Sequence, residues 1–276
     1  MKIELVYSFF INTIYLYRGF YHLKRLIDMF MGFLAIGKNI IKGEVKLKTI
    51  GMIGGMSWES SAEYYRLINE EVKRQLGGLH SAKVILFSVD FDEIEKCQSE
   101  GRWDEAGQIL GEAAYSLEKA GADFIVICTN TMHKVIDQIS QKTSLQILHI
   151  AEETAAQIKR LGIKKIGLLG TKYTMEQDFY KLRIQLQNID VLIPNENDRD
   201  LINKTIFNEL CLGNIRQSSR EYFKRIIVDL AAEGAEGIIL GCTEIGLLIK
   251  QADAPVPLFD TTEIHAHGAV QKALDK

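Results

Sequence analysis

Two stretches of this sequence decide its fold: GADFIVICT at residues 121–129 and GAEGIILGCT at residues 234–243. Each contains a short apolar run that is typical of a buried strand, and each ends in a Cys-Thr pair. A Gly-x-x-Gly stretch precedes each of them, GMIG at residues 51–54 and GLLG at residues 167–170. The repeated order of these stretches indicates an internal duplication.

From Lys48 onward, short apolar runs alternate with longer segments of helical spacing. A third and weaker pair, ILHI at 147–150 and PLFD at 257–260, continues the duplication, and the three pairs keep their order at separations of 110 to 116 residues. Two copies are too few for a solenoid, and the alternation is typical of parallel sheets covered by helices. We therefore predict an α/β protein with two similar lobes, each a parallel sheet flanked by helices. The lobes are related by a pseudo-two-fold duplication, with the active site between them.

The apolar runs also predict the boundaries of the elements and of the lobes. We expect one lobe to comprise 48–146 plus 257–276 and the other 147–256, with residues 1–47 as an N-terminal extension. A helical pattern from Glu59 to Leu76 follows the first Gly-rich turn. The predicted strands are 49–54, 83–89, 124–127, 146–150, 165–169, 237–240 and 256–259.

The composition is that of an ordinary globular protein, with 47% hydrophobic and 25% charged residues. Four Cys in 276 residues are too few for a disulfide scaffold, and we expect a cytoplasmic protein. A net charge of −3 gives no basic footprint for nucleic acid, so none is expected as a partner. The sequence lacks G-x-x-x-x-G-K-[ST] and the dinucleotide fingerprint G-x-G-x-x-G. His265 and His267 point apart on a helix, and no metal site is expected.

Residues 1–47 differ chemically from the rest, with seven cations against three anions. Their longest apolar run has 13 residues, which is too short to cross a bilayer. Three interpretations stay open: a stretch upstream of the functional start, an amphipathic segment making weak contact with a membrane surface, or a packed accessory helix.

The residues with catalytic chemistry stand where each repeat ends its strand. Ligands of α/β sheets bind outside the carboxyl ends of the strands, so Cys128 and Cys242 are expected on opposite walls of one cleft. A buried Cys is by itself most often a core residue, and Cys97 and Cys211 are interpreted as structural or incidental. Cys128 precedes Thr129-Asn130-Thr131, which are residue types that begin helices, and we expect a helix over 132–139 to stabilise its thiolate.

Two thiols that face each other across a small ligand suit the transfer of a proton from one face of a carbon to the other. The turn at 51–55 is expected to bring backbone N–H groups near a small anion, with Met56 and Ser57 at its edge. The sequence thus predicts proton-transfer chemistry between two duplicated walls.

Three motifs carry a family resemblance: KTIGMIGGMS at 48–57, CTNT at 128–131 and GCTE at 241–244. Together they resemble the aspartate/glutamate racemase family, and the match runs continuously over 48–276. The stretches GGLHS at 77–81 and TMEQDFY at 174–180 resemble its enterobacterial YgeA-type branch.

This resemblance implies a homodimer that racemises aspartate, glutamate or a related amino acid, with no pyridoxal phosphate or other cofactor and no metal. Cys128 and Cys242 take the place of the two catalytic cysteines in a two-base mechanism. The residues at substrate-lining positions of the family are Met56, Gln98, Thr129, Asn130, Thr131, Thr243 and Glu244. Some aspartate racemases have a Lys in the segment that is ELCLGN here, at 209–214, so a broader substrate range is expected.

Other functions remain open from the sequence. Hydantoin racemases, maleate isomerases and arylmalonate decarboxylases share this superfamily, and two cysteines favour a racemase or an isomerase over a decarboxylase. A non-catalytic amino-acid-binding protein with the same pocket is a further alternative.

Overall fold

The computed structural model describes residues 47–275 of the chain. The interpretations given for the N-terminal extension, including contact with a membrane surface, concern residues outside this range, apart from Leu47. Within 47–275, no helix is both long and apolar enough to cross a bilayer.

The first lobe is a parallel sheet whose central strands are apolar because helices cover both of their faces. β1 and β3 are fully buried, whereas the edge strand β2 is half-buried to exposed. The elements of this lobe are β1 (Ile50–Gly54), α1 (Trp58–Leu76), β2 (Val84–Ser88), α2 (Phe91–Ser99), α3 (Trp103–Lys119), β3 (Phe124–Ile127), a 3₁₀ helix (Thr131–Val135), α4 (Ile136–Ser140) and β4 (Ile147–Leu148).

The second lobe repeats this plan. Its central strands β5 and β7 are buried almost throughout, as in the first lobe. Its elements, with the helices that connect the lobes, are α5 (Ile150–Arg160), β5 (Lys165–Gly170), α6 (Lys172–Glu176), α7 (Asp178–Gln185), β6 (Asp190–Leu192), α8 (Glu196–Asn208), a 3₁₀ helix (Leu210–Leu212), α9 (Gln217–Ala232), β7 (Ile238–Gly241), α10 (Ile245–Leu248), a 3₁₀ helix (Gln251–Asp253), β8 (Leu258–Asp260) and α11 (Thr261–Ala273).

The strand order confirms the predicted fold class. The sheets run β2-β1-β3-β4 and β6-β5-β7-β8, and all their pairs are parallel. Gly51 lies between Ile85 and Ile125 in the first sheet. Gly167, which the duplication pairs with Gly51, lies in the second sheet between β6 and β7. The repeated sequence is therefore a repeated structure.

α1 illustrates how the sequence specifies a helix. The Ser57 hydroxyl accepts a hydrogen bond from the Ser60 backbone at 3.2 Å, which caps the first turn. Gly77 ends the helix at a positive φ of 72°, a conformation that glycine adopts without strain. Tyr64 and Ile68, one turn apart, are fully buried and pack the helix onto the sheet.

The strand pairing places each boundary between the lobes one strand later in the chain than predicted. β4 pairs with β3 in the first sheet, although the predicted boundary at 147 assigns it to the second lobe. β8 pairs with β7 in the second sheet, although the boundary at 257 assigns it to the first. The chain therefore crosses between lobes after these strands, through α5 and α11, which pack against each other while α11 also packs on α1.

Two elements differ from the sequence prediction. β6 was not predicted, because it is a three-residue edge strand with one exposed and two partly buried side chains. The helix predicted over 132–139 is instead a 3₁₀ helix followed by the five-residue α4.

Three buried histidines lie where the two crossings meet. The ring centroid of His133 is 4.6 Å from that of His149 and 5.8 Å from that of His265. The Tyr64 hydroxyl lies 2.8 Å from His265 Nδ1, while His265 Nε2 lies 3.0 Å from the Leu148 carbonyl oxygen. Because a carbonyl only accepts, His265 carries its proton on Nε2 and accepts from Tyr64 on Nδ1.

The histidine cluster is built for the uncharged imidazole. His133 Nε2 accepts from the Ile150 backbone at 3.3 Å, so its proton lies on Nδ1 and is donated to the Thr129 carbonyl at 2.9 Å. Burial lowers the pKa of His133 to about 4 and that of His265 to about 3, and it also lowers the pKa of His149. Protonation of any of the three therefore opposes folding.

We expect this cluster to make the protein acid-labile. Histidines in the unfolded chain have a pKa of about 6.5, so below that pH the unfolded state binds more protons than the folded state. The free energy of unfolding should fall as the pH drops from about 6.5 to about 4, by up to about 1.4 kcal/mol per pH unit for each histidine. Urea unfolding of wild type and His265→Gln at several pH values measures this slope.

The variant should have a shallower pH dependence than wild type, whatever its stability at neutral pH. His80 is exposed, and His80→Gln serves as the matched control that keeps the wild-type slope. Parallel pH profiles for wild type and His265→Gln would contradict the assignment.

Candidate active site

A small cavity lies between the two lobes, at the carboxyl ends of their central strands. Its volume is about 30 Å³, which is enough to hold a water molecule. Both lobes contribute to its wall, as expected for sites at the carboxyl ends of parallel strands. The lining residues are Met56, Phe91, Gln98, Thr129, Asn130, Thr131, Thr171, Ile206, Phe207, Cys211, Gly241, Cys242, Thr243 and Glu244.

A wider groove of about 1060 Å³ runs along α5 and α11. Its lining is largely charged and polar, and it contains no cysteine. The thiol chemistry predicted from the sequence therefore belongs to the smaller cavity between the lobes.

The small cavity brings together all but one of the site residues predicted from the sequence. Met56, Gln98 and the run Thr129-Asn130-Thr131 line it from the first lobe. Cys242, Thr243 and Glu244 line it from the second. Gln98 donates a hydrogen bond from Nε2 to Met132 Sδ at 3.0 Å, which fixes its amide against the wall.

Cys128 is the residue that the structure does not place in the wall. It is fully buried and packs with Tyr64, Val126 and Ala266 in the core of the first lobe. The alternation of side chains along β3 accounts for this position, since Phe124, Val126 and Cys128 face the same side of the sheet. Cys242 thus lies in one wall of the cavity, as predicted. In the opposite wall, Thr129 lies where its neighbour Cys128 was expected.

The predicted stabilisation of the Cys128 thiolate is wrong in this structure. The residues after Cys128 form a 3₁₀ helix and the short α4, and the Asn130 side chain makes no capping bond. Burial raises the pKa of Cys128, and no charged group offsets it. At neutral pH the protein therefore holds Cys128 as a thiol.

Cys242 is also held as a thiol, but by a different environment. Burial and the neighbouring Glu244 raise its pKa. Its Sγ donates a hydrogen bond to Glu244 Oε2 at 3.0 Å, and the Thr243 hydroxyl donates to the same oxygen at 2.6 Å. Ser57 of the first lobe donates to Glu244 Oε1 at 2.8 Å, which ties the lobes together beside the thiol.

The Gly-rich turn after β1 positions Ser57 and does not form the predicted anion site at Gly55. The Gly55 N–H is already bonded to Ser61 Oγ at 2.8 Å. Gly55 has a φ of 93°, and a Cβ there would lie 2.2 Å from the Val89 carbonyl oxygen, so no larger residue fits.

Several lining residues were not predicted from the sequence. Thr171 follows β5 directly, and the rule that ligands bind at strand ends could have identified it. Cys211 was interpreted as incidental, but its 3₁₀ helix brings it into the cavity wall. It joins an apolar part of the wall made by Phe91, Ile206 and Phe207, for which the sequence offers no motif.

Side chains from the two lobes also meet near the cavity. The Trp103 and Tyr173 rings pack edge to face with centroids 5.3 Å apart, and the Tyr173 hydroxyl donates to the Gln98 carbonyl at 3.3 Å. Lys134 Nζ lies 3.7 Å from the Trp103 ring centroid and donates to Gln177 Oε1 at 2.6 Å. These contacts keep the lobes together. The cavity of about 30 Å³ between the lobes has to enlarge before it admits an amino acid.

The chain belongs to the Asp/Glu/Hydantoin racemase family, whose model matches residues 53–269. Its fold is that of solved members: an aspartate racemase homologue from Pyrococcus horikoshii OT3 is 36% identical, with a TM-score of 0.72, over 82% of this chain and 99% of that one. A Yersinia pestis protein with a proposed assignment as an Asp/Glu racemase is 57% identical, with a TM-score of 0.78, over 83% of this chain and 100% of that one.

The broad specificity amino-acid racemase RacX of Bacillus subtilis (strain 168) is also similar to this chain. It is 27% identical over 171 residues, which are 62% of this chain and 74% of RacX. The family and the racemase relatives agree with the resemblance seen in the sequence, whereas the YgeA-type branch stays a prediction.

We expect Tyr173→Ala to loosen the contact between the lobes. An aromatic pair contributes about 0.5–1.5 kcal/mol, which corresponds to about a 2- to 10-fold increase in the open population. The alkylation rate of Cys242 by iodoacetamide should rise by that factor, as followed by mass spectrometry of the Cys242 peptide. Tyr115→Ala, an exposed tyrosine outside this contact, is the control, and equal rates in both variants would contradict the expectation.

Proposed function

We propose that this member of the Asp/Glu/Hydantoin racemase family is a cofactor-independent amino-acid racemase. Cys242 and Cys128 act as its two bases, one on each face of the substrate Cα. The substrates we propose are aspartate, glutamate or related amino acids.

The observation that carries this proposal is the duplicated strand end. β3 and β7 occupy equivalent places in the two sheets, and each is followed directly by a Cys-Thr pair. Cys242 and Thr243 line the cavity together with Thr129. Two thiols that follow equivalent strands are suited, once both reach one substrate, to remove a proton from one face of a carbon and deliver another to the opposite face.

The reaction needs support for the charge that develops on the substrate carboxylate when the Cα–H bond breaks. Thr129 offers a hydroxyl group in the wall, and each preorganised donor contributes about 3 kcal/mol. The Thr131 hydroxyl lies in the same wall, 3.2 Å from the Thr171 hydroxyl, with which it shares a hydrogen bond. Asn130 donates one N–H to Thr261 Oγ1 at 3.0 Å, which leaves its second N–H for a ligand. Thr243 stands at a substrate-lining position of the family, but its hydroxyl hydrogen is directed to Glu244.

The mechanism also requires that substrate entry bring Cys128 to the cavity. Thr129 already lies in the wall, so Cys128 is one residue away from it. Separation of the lobes enlarges the cavity, and we propose that the same movement exposes the Cys128 thiol to the substrate Cα.

The charge of the cavity favours a broad choice of substrates. Among the described residues that line it, none is Lys or Arg, and Glu244 is the one charged side chain. A side-chain carboxylate would therefore lack a cationic partner, so related uncharged amino acids should be turned over at least as well as aspartate and glutamate. The similarity to the broad specificity racemase RacX supports this choice.

A hydantoin racemase is the second candidate, since the family includes that activity and the wall suits an uncharged ring. The homodimer and the cytoplasmic location expected from the resemblance stay predictions.

Replacing either cysteine should slow racemisation strongly. Cys128→Ser and Cys242→Ser should each lower the rate by about 10²- to 10⁴-fold, the usual contribution of a positioned proton-transfer group. Each should still exchange the Cα proton of the enantiomer that faces the remaining thiol. Chiral chromatography measures racemisation, and proton NMR in D₂O measures exchange, on a panel of L- and D-amino acids.

Cys97→Ala removes a thiol from the buried face of α2, outside the cavity wall, and should keep the wild-type rate. Near wild-type racemisation by both Cys128→Ser and Cys242→Ser would overturn the two-base mechanism. Turnover of a hydantoin or of maleate alone would favour those reactions, and binding of amino acids without exchange would indicate a binding protein.

A further inference from the structure

The strand β2 forms one edge of the first sheet, and its outer side has no backbone partner among residues 47–275. On its inner side, the Lys83 carbonyl accepts from the Ile50 N–H, and the Val89 N–H donates to the Gly54 carbonyl. The bonds of a parallel pair use every second residue of a strand. The alternate residues of β2 therefore direct their N–H and C=O groups outward, and these are Val84, Leu86 and Ser88.

This edge lacks the features that keep edge strands from pairing with another chain. Folded monomers protect their edges with short strands, charged side chains or proline. The three other edge strands are two or three residues long, whereas β2 has five residues, VILFS, with no charge and no proline. Leu86 and Phe87 point to opposite faces of the sheet and are 47% and 39% exposed. Both faces of the strand are thus partly uncovered.

The first helix extends the apolar surface beside this edge. A Cβ on Gly54 would contact both Ser61 and Leu86, so this side of α1 lies against β2. Trp58 and Tyr65 lie about one turn before and one turn after Ser61, on the same side of the helix. Their side chains are 68% and 55% exposed.

A fully exposed leucine, Leu79, lies in the turn that leads into β2. We call the set Trp58, Tyr65, Leu79, Leu86 and Phe87 the β2 edge surface. Its five side chains present about 600 Å² of accessible surface, given the usual size of large apolar residues. A stable interface takes about 800 Å² from each partner, and aromatic residues are enriched in such interfaces. The β2 edge surface therefore offers most of the area that a stable interface needs.

A second copy of this chain is the partner that fits this edge. A strand that pairs with its own copy across a two-fold axis runs antiparallel to it and meets an identical row of unpaired groups. With the axis at Leu86, this residue faces Leu86 of the second copy, and Val84 faces Ser88 of the second copy. Every outward N–H and C=O group of β2 then has a partner.

The same register also matches the side chains. Ile85 faces Phe87 of the second copy in a pair without mutual hydrogen bonds, where side chains lie closest, and an aromatic residue packs well against a β-branched one. Lys83 and Asp90 are exposed just beyond opposite ends of β2. The two-fold brings each Lys83 near Asp90 of the second copy, so the charges at the ends are complementary.

We propose that the β2 edge surface is the interface of a homodimer. In it, β2 pairs antiparallel with β2 of a second copy and joins the two first-lobe sheets into one continuous sheet. This inference does not depend on the proposed function. The family resemblance implies a homodimer, but it implies neither this surface nor this register.

Leu86→Lys tests the surface in the full chain. The substitution puts two like charges opposite each other on the axis. Sedimentation velocity should show a dimer for wild type at micromolar concentration. The dissociation constant should rise by about 100-fold or more in the variant, since each of the two substituted chains loses about 10-fold. Leu247→Lys, a 45% exposed position of α10 in the second lobe, is the matched control and should keep the wild-type constant.

Leu86→Cys tests the register. The Cα atoms of a hydrogen-bonded antiparallel pair lie about 5.5 Å apart, within the range of about 4.4–6.8 Å that a disulfide spans. Copper phenanthroline in air should therefore oxidise the two thiols to a disulfide, and non-reducing electrophoresis should show a covalent dimer. Peptide mass spectrometry should find position 86 linked to itself. Ile85→Cys is the control, because its two copies lie two residues out of register and should not be linked.

Two results would overturn the proposal. One is a wild-type chain that stays monomeric. The other is a dimer that Leu86→Lys leaves as tight as wild type and that Leu86→Cys does not cross-link, because its interface would then lie on another face. Circular dichroism verifies that each variant keeps its fold. If Leu86→Lys does not fold, the cross-link of Leu86→Cys decides alone.

Discussion

Parallel strands cannot be joined by tight turns, so each return along a sheet requires a crossover, and all strands of the sheet end at the same edge. In this protein the constraint operates twice, in two sheets with the same strand order. The loops after β1, β3, β5 and β7 meet at one cavity as a result. The cavity, the positions of the Cys-Thr pairs that follow β3 and β7, and the contacts that close the cavity all depend on this convergence.

A duplicated scaffold does not impose duplicated chemistry. The repeat gives both lobes a cysteine at the end of a central strand, but the residues that surround the two thiols differ. One thiol lies against a carboxylate that is held by three donors, and the other lies in an apolar core. A racemase acts on two mirror-image substrates with a chiral protein, so it does not need equal environments on its two sides. The unlike environments of Cys128 and Cys242 are consistent with that freedom.

Much of the fold could be predicted from the sequence because its signals are local. Buried parallel strands read as continuous apolar runs, and most predicted strands match within one or two residues. β6 lacks such a run, because it is a three-residue edge strand that begins with an exposed Asp190. The replacement of a helix by a 3₁₀ turn after Thr131 likewise follows from packing around His133, which no local pattern records.

The candidate site was predictable where it consists of strand ends and unpredictable where it depends on tertiary packing. The rule that ligands bind at the carboxyl ends of parallel strands identified Cys242 and the Thr129–Thr131 run. It could not show that Cys128 lies beneath the wall, because the direction of its side chain depends on how α1 and α11 cover the sheet. Cys211 and Phe207 reach the cavity from α8 and the turn after it, whose sequences carry no catalytic pattern.

The central claim, that two thiols act from opposite faces of one carbon, is tested most directly by the fate of hydrogen in wild-type turnover. A single enantiomer of a substrate is incubated with the wild-type enzyme in D₂O. Early in the reaction the two enantiomers are separated, and the deuterium content of each is measured by mass spectrometry. Two thiols predict a product that carries one deuterium at Cα, while the remaining substrate keeps its protium. A product that retains the original protium would mean that one group moves the proton across both faces, and the two-thiol account would be wrong.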